Sequence, residues 1–287
     1  MGAAACAGGR QEAGRLSDIL AGQPSDAMLL AEIYDLEHDV IDDDLGFYRE
    51  MARRHPGPTI DLGCGSGRLF ASMLAGGARR IVGIDGSPSL LERAEARVER
   101  DDHLRAAMAD GRIEVAMGDV RRIARKDRFA LAVLAGVVAH MDGPEDALRA
   151  LVSARRLLGV EGVLVVDTLG PGGLPPHDLP LSLDWELADR GSRVVRRSQL
   201  ERRDTPEGLR VSYATLTDVM RADGTIARLP ASFRLWYPSP TALVALAIEA
   251  DLEVESVFGS HDLDPLNEDS ERCIVLARRT TADPGKE

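Results

Sequence analysis

The sequence has few cysteines, and their spacing forms no recognised cluster. Cys6, Cys64 and Cys273 lie far apart and include no CxxC pair. Disulfide frameworks and zinc cages need several cysteines at characteristic spacings, so the sequence predicts neither of them, and we expect no metal site. This usage is typical of proteins from a reducing compartment, and the expected location is therefore cytoplasmic.

Long apolar runs and an export signal are also missing. The run at residues 129–138 is too short to cross a bilayer, which takes about 20 residues in a helix. The N-terminus is rich in Ala and Gly but lacks a basic start followed by an apolar block. We therefore expect no membrane partner, a flexible N-terminus at residues 1–25 and a tail at 281–287.

Net positive charge is absent. The formal net charge is −12, from 35 basic and 47 acidic residues. Duplex nucleic acid and anionic membranes require a basic face, so the balance predicts a small-molecule substrate and no nucleic-acid partner. One basic stretch has strand spacing, which favours a solvated face over a binding patch; its arginines are Arg193, Arg196, Arg197, Arg202 and Arg203.

The apolar pattern divides the chain into regions. Strand-like runs alternate with helical ones as far as residue 170, which predicts an α/β fold with a doubly wound parallel sheet. Residues 181–235 change to alternating polar and apolar runs, which predict a small antiparallel β insert after the fifth strand. The predicted divisions are a helical lid at 26–56, a cofactor-binding core at 57–170, the insert on the substrate side at 171–238 and the end of the core at 239–280.

A glycine-rich turn follows the first predicted strand. Its sequence is Asp61-Leu62-Gly63-Cys64-Gly65-Ser66-Gly67-Arg68. Alternate glycines permit a tight turn and close approach of a ligand, and the next helix directs its free amides into the same space. A dehydrogenase fingerprint would need glycine where Arg68 stands, and no P-loop is present. Asp61 suits a ligand that carries an ammonium group.

Acidic residues also lie at or just beyond the ends of the next two predicted strands. Asp85 lies 22 residues after Gly63 and is a candidate for binding both hydroxyls of a ribose; the alternative is a helix cap. Gly118-Asp119-Val120 follows the third strand, where a side chain and a backbone amide could contact an adenine edge; the alternative is a simple turn.

Together, these segments resemble the motifs of class I S-adenosylmethionine-dependent methyltransferases, over residues 30–170. Residues 61–67 resemble their motif I, 84–87 their second motif and 118–120 their adenine-contacting motif. The resemblance implies a Rossmann-like seven-stranded sheet with an antiparallel last strand. It also implies S-adenosyl-L-methionine as cofactor, bound by Tyr34, Asp61, Gly63, Cys64, Gly65, Arg68, Asp85, Gly86, Asp119, Val120, Ala135 and Gly136. Tyr34 would belong to a lid, although a buried helical tyrosine is the alternative.

The insert is similar to that of sugar N-methyltransferases and related enzymes of natural product biosynthesis. This likeness implies methyl transfer to nitrogen or oxygen of a small molecule, with positioning supplying most of the acceleration. The alternatives are a protein or RNA methyltransferase, a dehydrogenase, or a catalytically silent cofactor-binding homologue. The chain would act as a monomer or homodimer.

The sequence indicates the catalytic residues less clearly than the cofactor-binding residues. His140 follows the fourth strand and is the candidate base, because an imidazole titrates near neutrality; packing beside the cofactor is the alternative. Trp185, Trp236 and Tyr237 are candidate walls of the substrate pocket, with core packing as the alternative. His261 with Asp262 and Asp264 suggests a metal, but the loop composition favours a solvated turn.

Overall fold

The computed structural model describes residues 25–189 and 192–280, so the predicted flexible segment up to residue 24 and the tail at 281–287 lie outside the described residues. The chain divides into two units. The core unit comprises Ile41–Leu174, Pro206–Gly208 and the described residues from Trp236 onward. The insert unit comprises the described residues up to Val40, with Pro175–Thr205 and Leu209–Leu235.

Helices and strands alternate along the core unit, as the apolar pattern predicted. The helices are α1 (Asp26–His38), α2 (Leu45–Arg54), α3 (Phe70–Ala75), α4 (Pro88–Arg100), α5 (Asp102–Ala109), α6 (Pro144–Leu157) and α7 (Pro240–Glu249). The strands are β1 (Pro58–Leu62), β2 (Arg80–Asp85), β3 (Ile113–Met117), β4 (Phe129–Ala135), β5 (Leu158–Leu169), β6 (Leu179–Asp189), β7 (Ser192–Thr205), β8 (Gly208–Met220), β9 (Ile226–Pro238), β10 (Leu252–Phe258) and β11 (Arg272–Arg279). No described helix has the length and apolar character needed to cross a bilayer.

The core unit contains a seven-stranded sheet. Its strand order is β10-β11-β5-β4-β1-β2-β3. The pairs β1–β2, β1–β4, β2–β3 and β4–β5 are parallel, whereas β11 runs antiparallel to both β5 and β10. This topology confirms the predicted Rossmann-like sheet with its antiparallel last strand. Strand order reverses between β1 and β4, which is where such sheets place a ligand.

Two apolar layers cover the sheet, because successive residues of a strand face opposite sides. In β1, Ile60 and Leu62 lie in one buried cluster with residues of α6 and α7. Cys64, Leu131 and Val165 lie in the other cluster, which includes residues of α2, α3 and α4. Asp61 alternates with Ile60 and Leu62, so its side chain faces the second layer.

Helix boundaries follow capping residues where the sequence provides them. Ser87 caps α4 by accepting a hydrogen bond from the Leu90 amide, and Pro88 takes the first helical position. Helix α5 was not predicted; it begins where Asp101 accepts hydrogen bonds from the amides of His103 (2.8 Å) and Leu104 (3.0 Å). Strand β5 begins at Leu158, where that residue pairs with Phe129.

The Asp101 cap predicts a measurable effect on stability. Asp101→Ala should lower the free energy of unfolding by about 1 kcal/mol, since two amides at the start of α5 lose their acceptor. Urea denaturation of the purified protein would measure this. Asp110→Ala, at the exposed end of the same helix, is the matched control and should be neutral. Equal losses in both variants would contradict the capping role.

The insert unit is built on a four-stranded sheet with the order β6-β7-β8-β9, as the alternating pattern predicted. Its small core is formed by α1 and the sheet, through Leu29, Ile33, Val194, Val219 and Leu229. The predicted lid at 26–56 therefore consists of two helices that belong to different units. The boundary between the two units lies next to the acidic run after residue 41. This run has no apolar side chain that could continue the apolar face of a helix.

The arginines of β7 are largely paired within the insert unit. Arg196 is only 7% exposed; its guanidinium donates to Thr217 and lies against Glu37. The prediction of a solvated face is therefore wrong for Arg196. Three other arginines of this strand also have acidic partners: Arg193 pairs with Glu186, Arg197 with Asp218 and Arg202 with Asp204.

Candidate functional site

The glycine turn after β1 forms the floor of the candidate site. Gly63, Gly65 and Gly67 have φ values of 83°, 55° and 73°, in the left-handed region that favours glycine. At Gly63 a Cβ atom would also clash with a methyl group of Val137, in the turn after β4. The amides of Gly63 and Cys64 both donate to the Ile84 carbonyl, at 2.7 and 3.0 Å. The turn is therefore fixed between the ends of β2 and β4.

Asp61 is a buried carboxylate at the base of this turn. It is 2% exposed, and among the described residues its Oδ2 has no hydrogen-bond partner. Burial raises the pKa of Asp61 to about 7, and the negative charge of Asp85 adds to that rise, while Arg68 opposes it. A buried carboxylate without a partner is unfavourable by itself, so its position favours a positively charged ligand group.

Asp85 joins the glycine turn to the start of α4. Its Oδ2 accepts a hydrogen bond from the Gly65 amide (2.9 Å), and its Oδ1 accepts one from the Ser87 amide (2.8 Å). Each carboxylate oxygen can accept a second hydrogen bond, so these contacts leave capacity for ligand hydroxyls. Gly86 beside it is exposed. The capping alternative and the predicted ribose contact are therefore compatible.

Asp119 forms a turn at the end of β3. Its Oδ1 accepts from the Arg121 amide at 3.0 Å, and the carboxylate pairs with the side chains of Arg121 and Arg122. The hydrogen bond from the Arg121 side chain lowers the pKa of Asp119 to about 2. This is the turn considered as the alternative, and the following Val120 is buried in the core. The adenine contact stays a prediction.

The turn after β4 adjoins open space. Ala135 is half-buried, and Gly136 is exposed with no atom within 4 Å of the position that its Cβ would occupy. The Gly136 amide donates to the backbone carbonyl of Asp167 at 2.8 Å, which fixes this turn against β5. His140 ends the following 3-10 turn, and its side chain is exposed. Its predicted role as base stays a prediction.

Two residues predicted to contact the cofactor direct their side chains to other parts of the core unit. The thiol of Cys64 is buried against the second layer, and burial raises its pKa, so its backbone is the part available to a ligand. Arg68 donates to the Ile41 carbonyl (3.0 Å) and to Asp44 Oδ1 (2.7 Å), and both groups precede α2. Arg68 therefore holds the start of α2.

The predicted aromatic residues are distributed between the two units. In the insert unit, half-buried Tyr34 stacks on His38, and Trp185 donates from its indole nitrogen to Glu37 at 3.1 Å. In the core unit, Tyr237 is half-buried, whereas Trp236 is 1% exposed and packs with the layer of Ile60. The burial of Trp236 matches the core-packing alternative and not the predicted pocket wall. The roles of Tyr34, Trp185 and Tyr237 stay predictions.

A buried polar cluster at the carboxyl end of β5 was missed by the sequence analysis. Asp167 Oδ2 accepts hydrogen bonds from the Tyr48 hydroxyl (2.6 Å) and lies 2.9 Å from His261 Nε2. Its Oδ1 accepts from Arg272 Nε at 2.9 Å. The side chain of His261 is 13% exposed, so the prediction that this loop is a solvated turn is wrong for His261.

Asp167 stays ionised within this cluster. Burial alone would raise its pKa, but the hydrogen bond with His261 and the charge of Arg272 outweigh burial, and the pKa is lowered. Burial beside Asp167 raises the pKa of Tyr48, which therefore stays protonated and donates. Among the described residues, no group of three or more His, Cys, Asp or Glu side chains is arranged to hold a metal ion.

Comparison with known proteins gives matches in sequence and in structure. Residues 60–162 match the family model described as a methyltransferase domain. Over 112 residues the chain is 36% identical to a tRNA U34 carboxymethyltransferase of Shewanella loihica, covering 38% of this chain and 31% of that protein. Over 105 residues it is 33% identical to a ribosomal protein L11 methyltransferase of Marinomonas sp., which covers 37% of this chain and 33% of that protein. The chain thus matches about a third of the length of these curated relatives.

Solved structures match over most of the chain. The CcbJ methyltransferase from Streptomyces caelestis superimposes with a TM-score of 0.66 at 17% identity, covering 92% of this chain and 96% of that one. The sugar N-methyltransferase KedS8 from Streptoalloteichus sp. has a TM-score of 0.66 at 20% identity. The match covers 86% of this chain and 92% of that one. The amino pentose methyltransferase CalS10 from Micromonospora echinaspora was solved with S-adenosylmethionine bound. It has a TM-score of 0.58 at 20% identity, and the match covers 83% of this chain and 89% of that one. At these low sequence identities, the structural similarity shows a shared fold and nothing more.

Proposed function

We propose that this chain, whose residues 60–162 match a methyltransferase domain, is a class I S-adenosylmethionine-dependent methyltransferase that methylates nitrogen or oxygen of a small molecule in natural product biosynthesis. The observation that carries the proposal is Asp61, a buried carboxylate without a partner for Oδ2 at the base of a glycine turn. S-adenosylmethionine carries an ammonium group on its amino-acid tail. A dinucleotide would instead present a diphosphate, which the carboxylate would repel.

The residues of the core unit fit this cofactor in order along the sheet edge. Asp61 and the backbone of residues 63–67 would hold the amino-acid tail, and Asp85 would accept hydrogen bonds from the ribose hydroxyls. Asp119 and Val120 would contact the adenine. The glycine turn suits this arrangement, because its left-handed φ values at Gly63, Gly65 and Gly67 favour glycine, and a turn without side chains lets a ligand approach the backbone closely.

Methyl transfer requires little from the protein beyond the positioning of the two reactants. When bound, the cofactor supplies a methyl group on positively charged sulfur, and the carbon–sulfur electron pair returns to sulfur as the acceptor's lone pair takes the methyl. The rigid turns after β1 and β4 would align the reactants, an effect worth about 7–11 kcal/mol in favourable cases. An ammonium or hydroxyl acceptor must in addition lose a proton to a base.

A small-molecule acceptor is supported by the extent of the structural matches. KedS8, named as a sugar N-methyltransferase, covers 86% of this chain, a span that includes much of the insert unit as well as the core unit. The tRNA-modifying relative covers only 38%. The net charge of −12 also disfavours RNA. Methylation of RNA or protein is nevertheless the rival proposal, because the curated relatives carry such names.

Cofactor binding provides the first test. Asp85→Ala should weaken S-adenosylmethionine binding about 10-fold or more, since hydrogen bonds to a charged group are worth about 1.5–3 kcal/mol. Isothermal titration calorimetry would measure this, with Asp110→Ala as the control. Asp85→Asn keeps an acceptor oxygen for the Gly65 amide and should give a smaller loss. Unchanged binding in Asp85→Ala, or binding of NAD in preference, would refute the site assignment.

A panel of acceptors then tests the substrate class. Amino sugars, other amines and phenols would be incubated with S-adenosylmethionine, alongside unmodified tRNA and ribosomal protein. Turnover of an amine or phenol supports the proposal. Exclusive turnover of the macromolecules supports the rival, and cofactor binding without any turnover indicates a catalytically silent homologue.

A further inference from the structure

Asp167 faces the same side of the sheet as Asp61. Asp61 pairs in register with Val133, and Val133 pairs with Val165, so these three side chains share one face. Asp167 lies two residues beyond Val165 and therefore faces that side too, one step nearer the carboxyl edge. Two strand spacings and two residues of rise place the Cα atoms of Asp61 and Asp167 about 12 Å apart. The Asp167 cluster thus lies beside the proposed cofactor site, on the strand that follows β4 across the sheet.

The contacts of Asp167 determine which nitrogen of His261 carries the proton. An ionised carboxylate only accepts hydrogen bonds, so His261 Nε2 must donate to Asp167 Oδ2 across the 2.9 Å contact. In the neutral ring, Nδ1 then carries the lone pair. Among the described residues, Nδ1 has no hydrogen-bond partner.

The loop between β10 and β11 holds His261 in a fixed position. The Ser260 hydroxyl accepts from the amides of Asp262 (3.2 Å) and Asp264 (3.3 Å) and donates to the Asp264 carboxylate (2.7 Å). The base of the loop is closed by two backbone hydrogen bonds of Gly259, with Asp264 and Arg272. The ring of Phe47 packs against the imidazole, with centroids 5.5 Å apart. The imidazole is therefore held before any substrate binds.

We propose that His261, and not His140, accepts the proton that the methyl acceptor must lose, and that Asp167 positions it. This inference rests on the proposed methyltransferase function. One proton leaves the acceptor nitrogen or oxygen and binds His261 Nδ1, which leaves the acceptor's electron pair free for the methyl group. The resulting imidazolium is stabilised by the adjacent Asp167 carboxylate and returns its proton to water after product release.

Several charged groups surround this imidazole. Asp167 and Arg272 lie in the sheet, and Tyr48 contributes its hydroxyl from α2. Asp44, before α2, acts on both Tyr48 and Arg272. Of these groups, Asp167 contacts a ring nitrogen directly, with 2.9 Å between its Oδ2 and Nε2 of the imidazole.

The first test needs neither cofactor nor acceptor. Nitrogen-15 NMR of histidine-labelled protein should show neutral His261 in the Nε2–H tautomer, and Asp167→Asn should lose that preference. His261→Ala identifies the resonance. An Nδ1–H tautomer in the wild-type protein overturns the proposal.

The second test uses the amine that turns over best in the acceptor panel. His261→Ala should lower kcat at neutral pH by roughly 10²–10⁴-fold, the range of general base catalysis, with the Kd of S-adenosylmethionine within twofold. The loss should shrink at high pH, where the amine deprotonates in water, and added imidazole should restore part of the rate. His103→Ala, on the exposed surface of α5, is the control.

The possible outcomes separate the two proposals. Loss of rate in His140→Ala with a normal rate in His261→Ala overturns the assignment of the base but leaves the methyltransferase function intact. Failure of the wild-type protein to bind S-adenosylmethionine refutes the proposed function itself. The Nε2–H tautomer in the wild-type protein together with normal kinetics in His261→Ala shows a structural role for His261 and likewise overturns the inference.

Discussion

Asp61→Asn is expected to stabilise the cofactor-free protein while weakening cofactor binding. The pKa of Asp61 is about 7 in the folded state, above the ordinary value of an aspartate, so the folded state holds its proton more tightly than the unfolded state. Stability is therefore lost as pH rises from the unfolded pKa through the folded one. A shift of this size costs about 4 kcal/mol above pH 7, and asparagine escapes that cost because it does not ionise.

The stability effect has a characteristic pH dependence. The gain in unfolding free energy of Asp61→Asn over the wild type should grow by about 2–3 kcal/mol between pH 5 and pH 8. Urea denaturation without cofactor at several pH values would measure it. Asp110→Asn, which removes an exposed carboxylate, should show no such trend. A pH-independent difference for Asp61→Asn would mean that Asp61 is already paired in the folded protein.

The binding effect has the opposite sign. Removal of the charge that faces the ligand's ammonium should weaken binding by about 1.5–3 kcal/mol, or roughly 10- to 150-fold. Binding to the wild type near pH 7 should also release a fraction of a proton, because Asp61 is partly protonated in the empty site and becomes ionised beside the ammonium. Calorimetry in buffers of different ionisation enthalpy measures this release, which Asp61→Asn should lack.

The sheet and the cofactor site could be predicted because their signals are local in the sequence. Strands such as β4 are apolar on both faces, and this pattern of seven residues is sufficient to indicate a central parallel strand. Asp61 and Asp85 each lie at the carboxyl end of a strand, so the topology alone brings them to one edge. The prediction required no contact between distant residues.

The Asp167 cluster could not be predicted, because its signal is not local. Tyr48, Asp167 and His261 lie on a helix, a strand and a loop that are separated by 119 and 94 residues along the chain. The polar neighbours of His261 are typical of a solvated turn, and only the antiparallel pairing of β11 with β5 brings this loop over Asp167. Arg196 was misjudged for a similar reason, since its acidic partner Glu37 lies in α1.

The second large effect is expected from Asp167→Ala. This change leaves the Arg272 guanidinium and the fully buried Tyr48 hydroxyl without their shared partner. Breaking one side of a buried ion pair typically costs about 3–5 kcal/mol, so a large drop in unfolding free energy should follow. Tyr48→Phe removes only one neutral donor and should cost about 1–3 kcal/mol.

A double variant separates the ion pair from packing. Arg272→Met removes the charge that Asp167→Ala leaves unpaired, so the double variant should lose less stability than the sum of the two single changes. The pKa of Asp167 is lowered, so its contribution is present above the unfolded pKa and is lost as pH falls through the folded one. The cost of Asp167→Ala should therefore shrink below about pH 4. Additive losses that do not change with pH would show that Asp167 acts by filling space rather than by its charge.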